Sequence, residues 1–391
     1  MQNNSCDIFC KVIDNYGDIG VCWRLARQLK SEHGMQVRLW VDDLKSFAML
    51  CPEVDIALES QHCRGVEVRH WVKPFPEVKP AQLVIEAFAC KSPDSYLGTM
   101  AAQTQKSILI NLEYLTAEDW VDSYHKLPSP HPTLPVTKYY FFPGFTRKTG
   151  GLLLEHDLLV RRDAFLSDAA QQQEFWRSIN IEMPAKDILK VSLFCYENAA
   201  LPGLFDIWAS GVQPVLCLVP EGSVLPQVAQ YFGDVTPCVG KVYSRGKLQV
   251  RVLPFVKQER YDELLWACDV NFVRGEDTLV RAIWAGKPFI WQIYPQHDAV
   301  HLKKLEAFLL LYGKLLSASA SGAVQILWNA WNKGSGAGHA WPAFIAQSDE
   351  LGIHALQKAR QLGENNLALN LLDFSQEIGR IRALKIEGQQ S

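Results

Sequence analysis

The sequence predicts an α/β protein of two similar domains, each a mostly parallel sheet covered on both faces by helices. Three observations carry this. Short apolar runs of strand length alternate with segments of helical spacing. The alternation is interrupted between about residues 127 and 151 by a Pro- and Gly-rich stretch. The chain has 391 residues, too many for one ordinary core and suitable for two.

The elements follow in order. CDIFCKVI is an apolar run bounded by polar residues and reads as the first strand. From Ile19 to Lys30, Val21, Leu25 and Leu29 recur at helical spacing, and Gly34 stops that helix. MQVRLWV follows as a strand, and VEVRHW, QLVIEAF and SILINLE continue the series. KLPSPHPTLPV and FFPGFTRKTGG read as loop and linker. A second series opens near Asp187 with the buried strand DILKVSLFCY. QPVLCLV, QVRVLPF, DVNFV and KPFIWQI follow, with helical segments between them. The two series share a rhythm but no repeated sequence, so two similar domains are expected, not a repeat array. The tail from Glu364 to Leu384 is amphipathic and helical in pattern, and EGQQS reads as a frayed end. The expected domains are residues 1–150 and 151–364.

Composition excludes several classes. Hydrophobic residues at 48% with charged residues at 21% describe a globular chain, not a disordered one. The formal net charge is -3 with no Lys/Arg block, so no nucleic acid partner is expected. None of the ten cysteines forms a C-x-x-C pair, and several lie in apolar runs such as KVSLFCY and PVLCLV. They read as buried free thiols, which implies a reducing compartment. The start MQNNSCDIFCKVID lacks a basic segment followed by a long apolar one, so no signal peptide is expected. No apolar run approaches the roughly 18 residues of a membrane span, so a cytoplasmic location and no membrane partner are expected. The G-x-S-x-G elbow and the Walker P-loop are absent, which disfavours an esterase or an ATPase.

Five segments are candidates for chemistry. The first is Asp14-Asn15-Tyr16-Gly17-Asp18-Ile19-Gly20, between the first strand and the first helix. Ligands of open α/β sheets bind at such carboxyl-end loops. One of Asp14 and Asp18 can serve as a general base while the other holds a cationic substrate. In the plainer reading Asp18 caps the helix and Asp14 belongs to the turn. The second is Arg274-Gly275-Glu276-Asp277-Thr278, which follows the DVNFV strand and opens a helix ending before Gly286. Free N–H groups, a hydroxyl and an Arg there suit a pyrophosphate, and Glu276 suits a ribose. An ordinary acidic helix start is the alternative.

The third segment, Ser192-Leu193-Phe194-Cys195-Tyr196-Glu197-Asn198, ends a strand, and its aromatics can stack on a base or simply fill the core. The fourth, Leu253-Pro254-Phe255-Val256-Lys257-Gln258, leaves the same choice for Phe255, with backbone groups near Gln258 able to read a base edge. The fifth, His297-Asp298-Ala299-Val300-His301, sets two His on one helix face, but no third ligand accompanies them, so no metal site is expected. No D-x-D triplet occurs either. Phosphate charge is then left to Arg274, hydroxyls and helix dipoles.

IFCKVIDNYGDIGVCWRLA and VNFVRGEDTLVRAIWAGKPFIWQIYPQ together resemble the arginine rhamnosyltransferases that modify elongation factor P, and LFCYEN and LPFVKQERYDELLWACD match in order and spacing. The resemblance runs from about Cys6 to Leu311. It implies a GT-B fold of two facing Rossmann-like domains with an interdomain cleft, and a C-terminal helix, about 365–385, packing back on the first domain. It also implies a metal-independent, inverting transfer from dTDP-β-L-rhamnose to one arginine on the N-terminal domain of elongation factor P, with no cofactor.

Position by position, the resemblance makes Asp18 the general base, with Asp14 holding the acceptor guanidinium or shaping the site. Phe194 and Phe255 would line the thymine pocket, with Gln258 near its edge. Glu276 would bind the ribose. Ser192, Tyr196, Arg274, Asp277 and Thr278 would hold the pyrophosphate, and Tyr16 and Gly17 join the nucleotide-sugar-binding set. Tyr16 and Thr278 stand where many relatives carry Phe and Ser. A rival reading keeps the architecture with a small-molecule or lipid-linked acceptor, but no basic amphipathic helix supplies a membrane face. A non-enzymatic nucleotide-sugar binder would leave the carboxylate pair without a use.

Overall fold

The computed structural model describes residues 4–13, 16–295 and 300–390, the side chains of 385–390 excepted. The chain forms two compact units, Met1–His156 with Leu362–Ser391, and Asp157–Gln361.

The first unit is built on an eight-stranded sheet of order β3-β4-β2-β1-β5-β6-β8-β7. Its strands are β1 (Ser5–Cys10), β2 (Gln36–Val41), β3 (Ser60–Cys63), β4 (Val66–His70), β5 (Leu83–Ala87), β6 (Ile108–Leu112), β7 (Pro128–Pro130) and β8 (Thr137–Phe141). Pairing is parallel except at the two edges, where β3 and β7 run antiparallel to their neighbours. Strands β5 and β6 are buried throughout, and each is apolar but for one residue, Glu86 and Asn111. The helices are α1 (Gly17–Ser31), α2 (Leu44–Leu50), α3 (Asp94–Ala102) and the short α4 (Val121–Tyr124). The buried face of α1 carries Ile19, Cys22, Trp23, Ala26 and Leu29. Trp23 meets Phe47 of α2 edge-on, with ring centroids 5.1 Å apart.

At the amino ends of the strands, the fully buried Asp7 accepts from Arg38 Nε (2.5 Å) and Nη2 (2.6 Å), from Ala81 N (3.1 Å) and from the Tyr96 hydroxyl. These partners offset the cost of taking a carboxylate out of water.

The second unit opens with α5 (Leu158–Ser167) and α6 (Ala169–Ser178). Its six-stranded sheet has the order β11-β12-β10-β9-β13-β14. The strands are β9 (Leu189–Leu193), β10 (Val215–Pro220), β11 (Val242–Arg245), β12 (Leu248–Leu253), β13 (Val270–Arg274) and β14 (Phe289–Gln292). Only β11 is antiparallel to its partner. Helices α7 (Leu201–Ser210), α8 (Leu225–Tyr231), α9 (Gln258–Ala267) and α10 (Asp277–Ala285) alternate with the strands. Four further helices follow: α11 (Val300–Tyr312), α12 (Ala318–Asn332), α13 (Ala337–Ile345) and α14 (Ser348–Leu362). Phe272 of β13 sits among Trp208, Trp331 and Trp341, with ring centroids 6.0, 4.9 and 6.1 Å away. Helix α13 can reach α7 because Gly338 faces the Gly203 carbonyl, where a Cβ would come within 2.3 Å. The last helix, α15 (Leu367–Gln390), belongs to the first unit, and the bridge Leu152↔Asn366 leads into it.

The structure departs from the sequence reading in several places, the unread edge strands β3 and β11 among them. Helix α1 starts at Gly17, two residues before Ile19. The stretch read as loop and linker contains β7 and β8. Strand β8 has only its last residue buried, and the prolines of β7 lie on a sheet edge, where a missing N–H costs no ladder bond. Helix α15 continues to Gln390 through the segment read as frayed, with no proline to stop it.

Candidate active site

The first group of candidate residues lies where β1 ends and α1 begins. Tyr16 takes the N-cap position without a side-chain capping bond, so Asp18 is the second helical residue and not the cap. Its carboxylate instead reaches back over the loop and accepts the Ile13 N–H at 2.8 Å. Asp42, just past β2, accepts the neighbouring Val12 N–H at 2.9 Å. Two carboxylates, one from the first turn of α1 and one just past β2, thus hold the chain at Val12 and Ile13. Asp18 is buried, and its place in the first turn of α1 suits a negative charge. The thiol of Cys10 registers the local field. Its pKa is pushed well up, first by a hydrogen bond with Cys22, then by burial, with the charges of Asp18 and Asp42 adding to both. Gly17 and Tyr16 border the same loop and are half-buried. Asp14 and Asn15 lie outside the described residues, as do His297 and Asp298.

One strand away, β5 ends in Phe88 and Ala89, two consecutive non-glycine residues in the left-handed region, with φ of 56° and 58°. Such backbone strain collects at functional ends of sheets. Phe88 stacks on Tyr114, with ring centroids 4.9 Å apart.

The second group gathers in the other unit, around the turn from β13 to α10. The Arg274 guanidinium lies 4.5 Å from the ring centroid of Phe194 and 4.5 Å from that of Tyr196. It also donates to Ser223 Oγ at 3.0 Å. Two aromatic faces and a hydroxyl therefore fix a nearly buried cation, 8% exposed, at the carboxyl end of the sheet. Gly275, at φ 62°, makes the turn that other residues rarely make. Its N–H donates to the Gln292 carbonyl (3.1 Å), and its carbonyl accepts Trp291 Nε1 (2.7 Å). Helix α10 then begins with Glu276 at the N-cap, without a side-chain capping bond, and Asp277 in the first turn. Arg281 and Asp262, both buried, form two 2.7 Å bonds that tie α10 to α9. An arginine beside the open N–H groups of a helix start can hold the phosphates of a nucleotide. Cys195, between the two aromatics, is no nucleophile, since burial pushes its thiol up to about 12.

The remaining candidates separate. Phe194 and Tyr196 are half-buried beside Arg274, and Phe194 also meets Tyr261 at 5.8 Å. Phe255 is half-buried, and Gln258, the buried first residue of α9, shares its strand-to-helix turn. Ser192 is 1% exposed, and its hydroxyl donates to Asn271 Oδ1 at 2.6 Å across the β9–β13 pair. Thr278 also bonds within the protein. Its hydroxyl accepts the Arg274 N–H (3.0 Å) and donates to the Arg274 carbonyl, so it closes the turn. Sequence reading missed Asp42, Ser223 and Gln292, whose Oε1 accepts the Tyr196 N–H at 2.9 Å. Each sits within a few residues of a strand's carboxyl end, which was the available signal.

Among the described residues, no group of three or more His, Cys, Asp or Glu side chains is placed to hold a metal ion, and no helix is long and apolar enough to cross a membrane.

Comparison with known proteins gives one consistent answer. Residues 6–376 match the family model described as Elongation-Factor P (EF-P) rhamnosyltransferase EarP. The protein-arginine rhamnosyltransferase of Pseudomonas putida is 49% identical over 369 residues, covering 94% of this chain and 97% of its own. The enzyme of the same name from Pseudomonas aeruginosa is 48% identical over 95% of this chain and 98% of its own. A solved structure from work on EarP-mediated arginine glycosylation of translation elongation factor EF-P is 37% identical, with a TM-score of 0.69, over 95% of this chain and 99% of that one. MurG of Acinetobacter baumannii, 12% identical with a TM-score of 0.50 over 96% of this chain and 98% of its own, shares the GT-B fold alone.

Proposed function

The chain belongs to the elongation factor P rhamnosyltransferase family, and from that premise we propose that it moves L-rhamnose from dTDP-β-L-rhamnose to one arginine side chain of elongation factor P, with inversion at the anomeric carbon. The observation that carries this reading is the Arg274 cation, held between Phe194 and Tyr196 beside the start of α10.

The donor's pyrophosphate binds Arg274, Tyr196 and the N–H groups of Asp277 and Thr278, which open the helix. Phe194 and Phe255 line the thymine, Gln258 meets its edge, and Glu276 holds the ribose. Tyr16 and Gly17 border the sugar. The acceptor arginine is protonated in solution and is a poor nucleophile. Asp14 orients the guanidinium, and Asp18 takes one of its protons as the arginine Nη–C1 bond forms. The C1–O bond to the pyrophosphate breaks on the opposite face, and dTDP leaves with the bonding electrons. A single displacement turns the β-linked donor into an α-L-rhamnosyl arginine. Arg274 and the α10 dipole meet the charge that develops on the leaving dTDP. The reaction needs no cofactor and no metal, and it takes place in the cytoplasm with no nucleic acid or membrane partner.

Incubating the protein with dTDP-rhamnose and elongation factor P tests the reading. The product expected is one α-configured deoxyhexose on a single arginine, formed equally well in EDTA. A β-configured product would overturn inversion, and a rate abolished by EDTA would overturn metal independence.

A further inference from the structure

We propose that Trp120, Tyr124 and Leu127, on and beside helix α4, form the surface on which the acceptor protein docks through a basic and apolar face around its arginine. This rests on the reading that the protein glycosylates an arginine of another protein.

The three side chains are 46%, 54% and 44% exposed, a concentration of solvent-facing large apolar groups within eight residues of chain. A tryptophan left nearly half open is uncommon, and tryptophan and tyrosine are the side chains that most often anchor protein interfaces. The patch is also held rigid. Trp120 meets Tyr124 edge-on at 5.6 Å and Phe142 edge-on at 5.4 Å. His125 Nδ1 accepts the Phe142 N–H at 3.0 Å, and Asp122 accepts the Thr146 hydroxyl at 3.0 Å. A preformed anchor loses little entropy on binding.

Its place in the fold selects the occupant. Phe142 follows β8 directly, and β8 is parallel to β6, β5 and β1 in order, so Phe142 and the α1 loop lie at the same end of one sheet. Three strand spacings set the end of β8, which Phe142 follows, about 14 Å from the end of β1. That is within the footprint of an ordinary protein interface, roughly 800 Å² per partner. The rim is acidic. Glu113, Glu118, Asp119 and Asp122 fall in the same connection between β6 and β7. Of the nearby cations, Lys148 lies 3.6 Å from Asp122 and offsets its charge, whereas Arg147 pairs with Glu364 and Lys126 covers the Phe374 ring. Aromatics with Glu118 and the exposed Asp119 beside them in the chain complement a partner that presents an arginine.

The test measures transfer to elongation factor P by the full-length protein, as wild type, as Trp120→Ala/Tyr124→Ala and as Asp119→Lys. Melting temperature, dTDP affinity and oligomeric state are measured for each. The KM for the acceptor should rise at least tenfold in the double variant, with kcat within twofold and dTDP affinity unchanged. In Asp119→Lys the KM should rise most at low ionic strength. An active wild type with an unchanged acceptor KM in both variants overturns the docking surface and leaves the proposed function standing. A variant that dissociates a wild-type dimer with its acceptor KM unchanged also overturns it, by assigning the patch to a second copy of the chain. A wild type that transfers nothing overturns both.

Discussion

The guanidinium of Arg274 lies 4.5 Å from the ring centroid of Tyr196, and the pair is held at the carboxyl end of the sheet: Ser223 Oγ accepts from the Arg274 side chain, and Gln292 Oε1 accepts the Tyr196 backbone N–H. A planar cation can stack in this way, and an ammonium cannot reproduce both the stacking and the forked donors. Arg274→Lys should therefore lower kcat by about 10²- to 10³-fold, as loss of a charge-stabilising donor does. Tyr196→Phe, which keeps the ring face and loses only the hydroxyl offered to the pyrophosphate, should cost less than Tyr196→Ala, which loses both. Steady-state kinetics on the four proteins check this, and equal losses in Tyr196→Phe and Tyr196→Ala would mean that the hydroxyl matters and the stacking does not.

Asp18→Asn separates chemistry from structure. Its amide oxygen can still accept the Ile13 N–H, so the loop should keep its course and the melting temperature should shift little. The base is lost, and kcat should fall by roughly 10²- to 10⁴-fold. dTDP affinity should be unchanged. Single-turnover rates and calorimetric titration give both quantities, and an Asp18→Asn protein with near wild-type kcat would remove Asp18 from the mechanism.

Ser192 is assigned to the sheet and not to the donor. Ser192→Ala leaves Asn271 Oδ1 without the hydroxyl that now donates to it, at a cost of about 1–3 kcal/mol of stability. Denaturant unfolding should show that loss, while dTDP affinity stays as in the wild type. A tenfold weaker dTDP affinity would return Ser192 to the pyrophosphate site.

His125 should make stability depend on pH. Burial, followed by the charge of Lys126, holds its pKa down to about 4, against about 6.5 in an unfolded chain. Between those values the unfolded state binds the proton and the folded state does not. This contribution is therefore complete above about pH 6.5 and is lost as pH falls toward 4. His125→Asn keeps an acceptor for the Phe142 N–H and cannot titrate. Unfolding midpoints of the two proteins should converge as pH falls through this window. Parallel pH profiles would contradict the assignment.

The strands buried on both faces were legible. β1, β5 and β6, and likewise β9, β10, β13 and β14, write their burial as mostly apolar runs, while β2 and β12, partly open on one face, were legible from apolar residues alternating with polar ones. β3, β8 and β11 were missed because most of their residues are not fully buried, and β7 because its prolines read as loop. At the sites, the turn at Gly275 was legible because a left-handed glycine between a strand and a helix start has few other uses. The bond from Ser192 to Asn271 was not legible because the two lie 79 residues apart, on strands whose pairing no local pattern identifies. The clamp on Arg274 was half visible. Phe194 and Tyr196, two residues apart, read as aromatics at a strand end, but only the fold places a cation 4.5 Å from each ring.

The most direct test of the central claim is the intact mass of elongation factor P after incubation with this protein and dTDP-rhamnose, with Asp18→Ala in parallel. The account predicts a gain of one deoxyhexose on a single arginine with the wild type and none with the variant. An unmodified acceptor in the presence of active donor would contradict it and reopen both the donor and the acceptor.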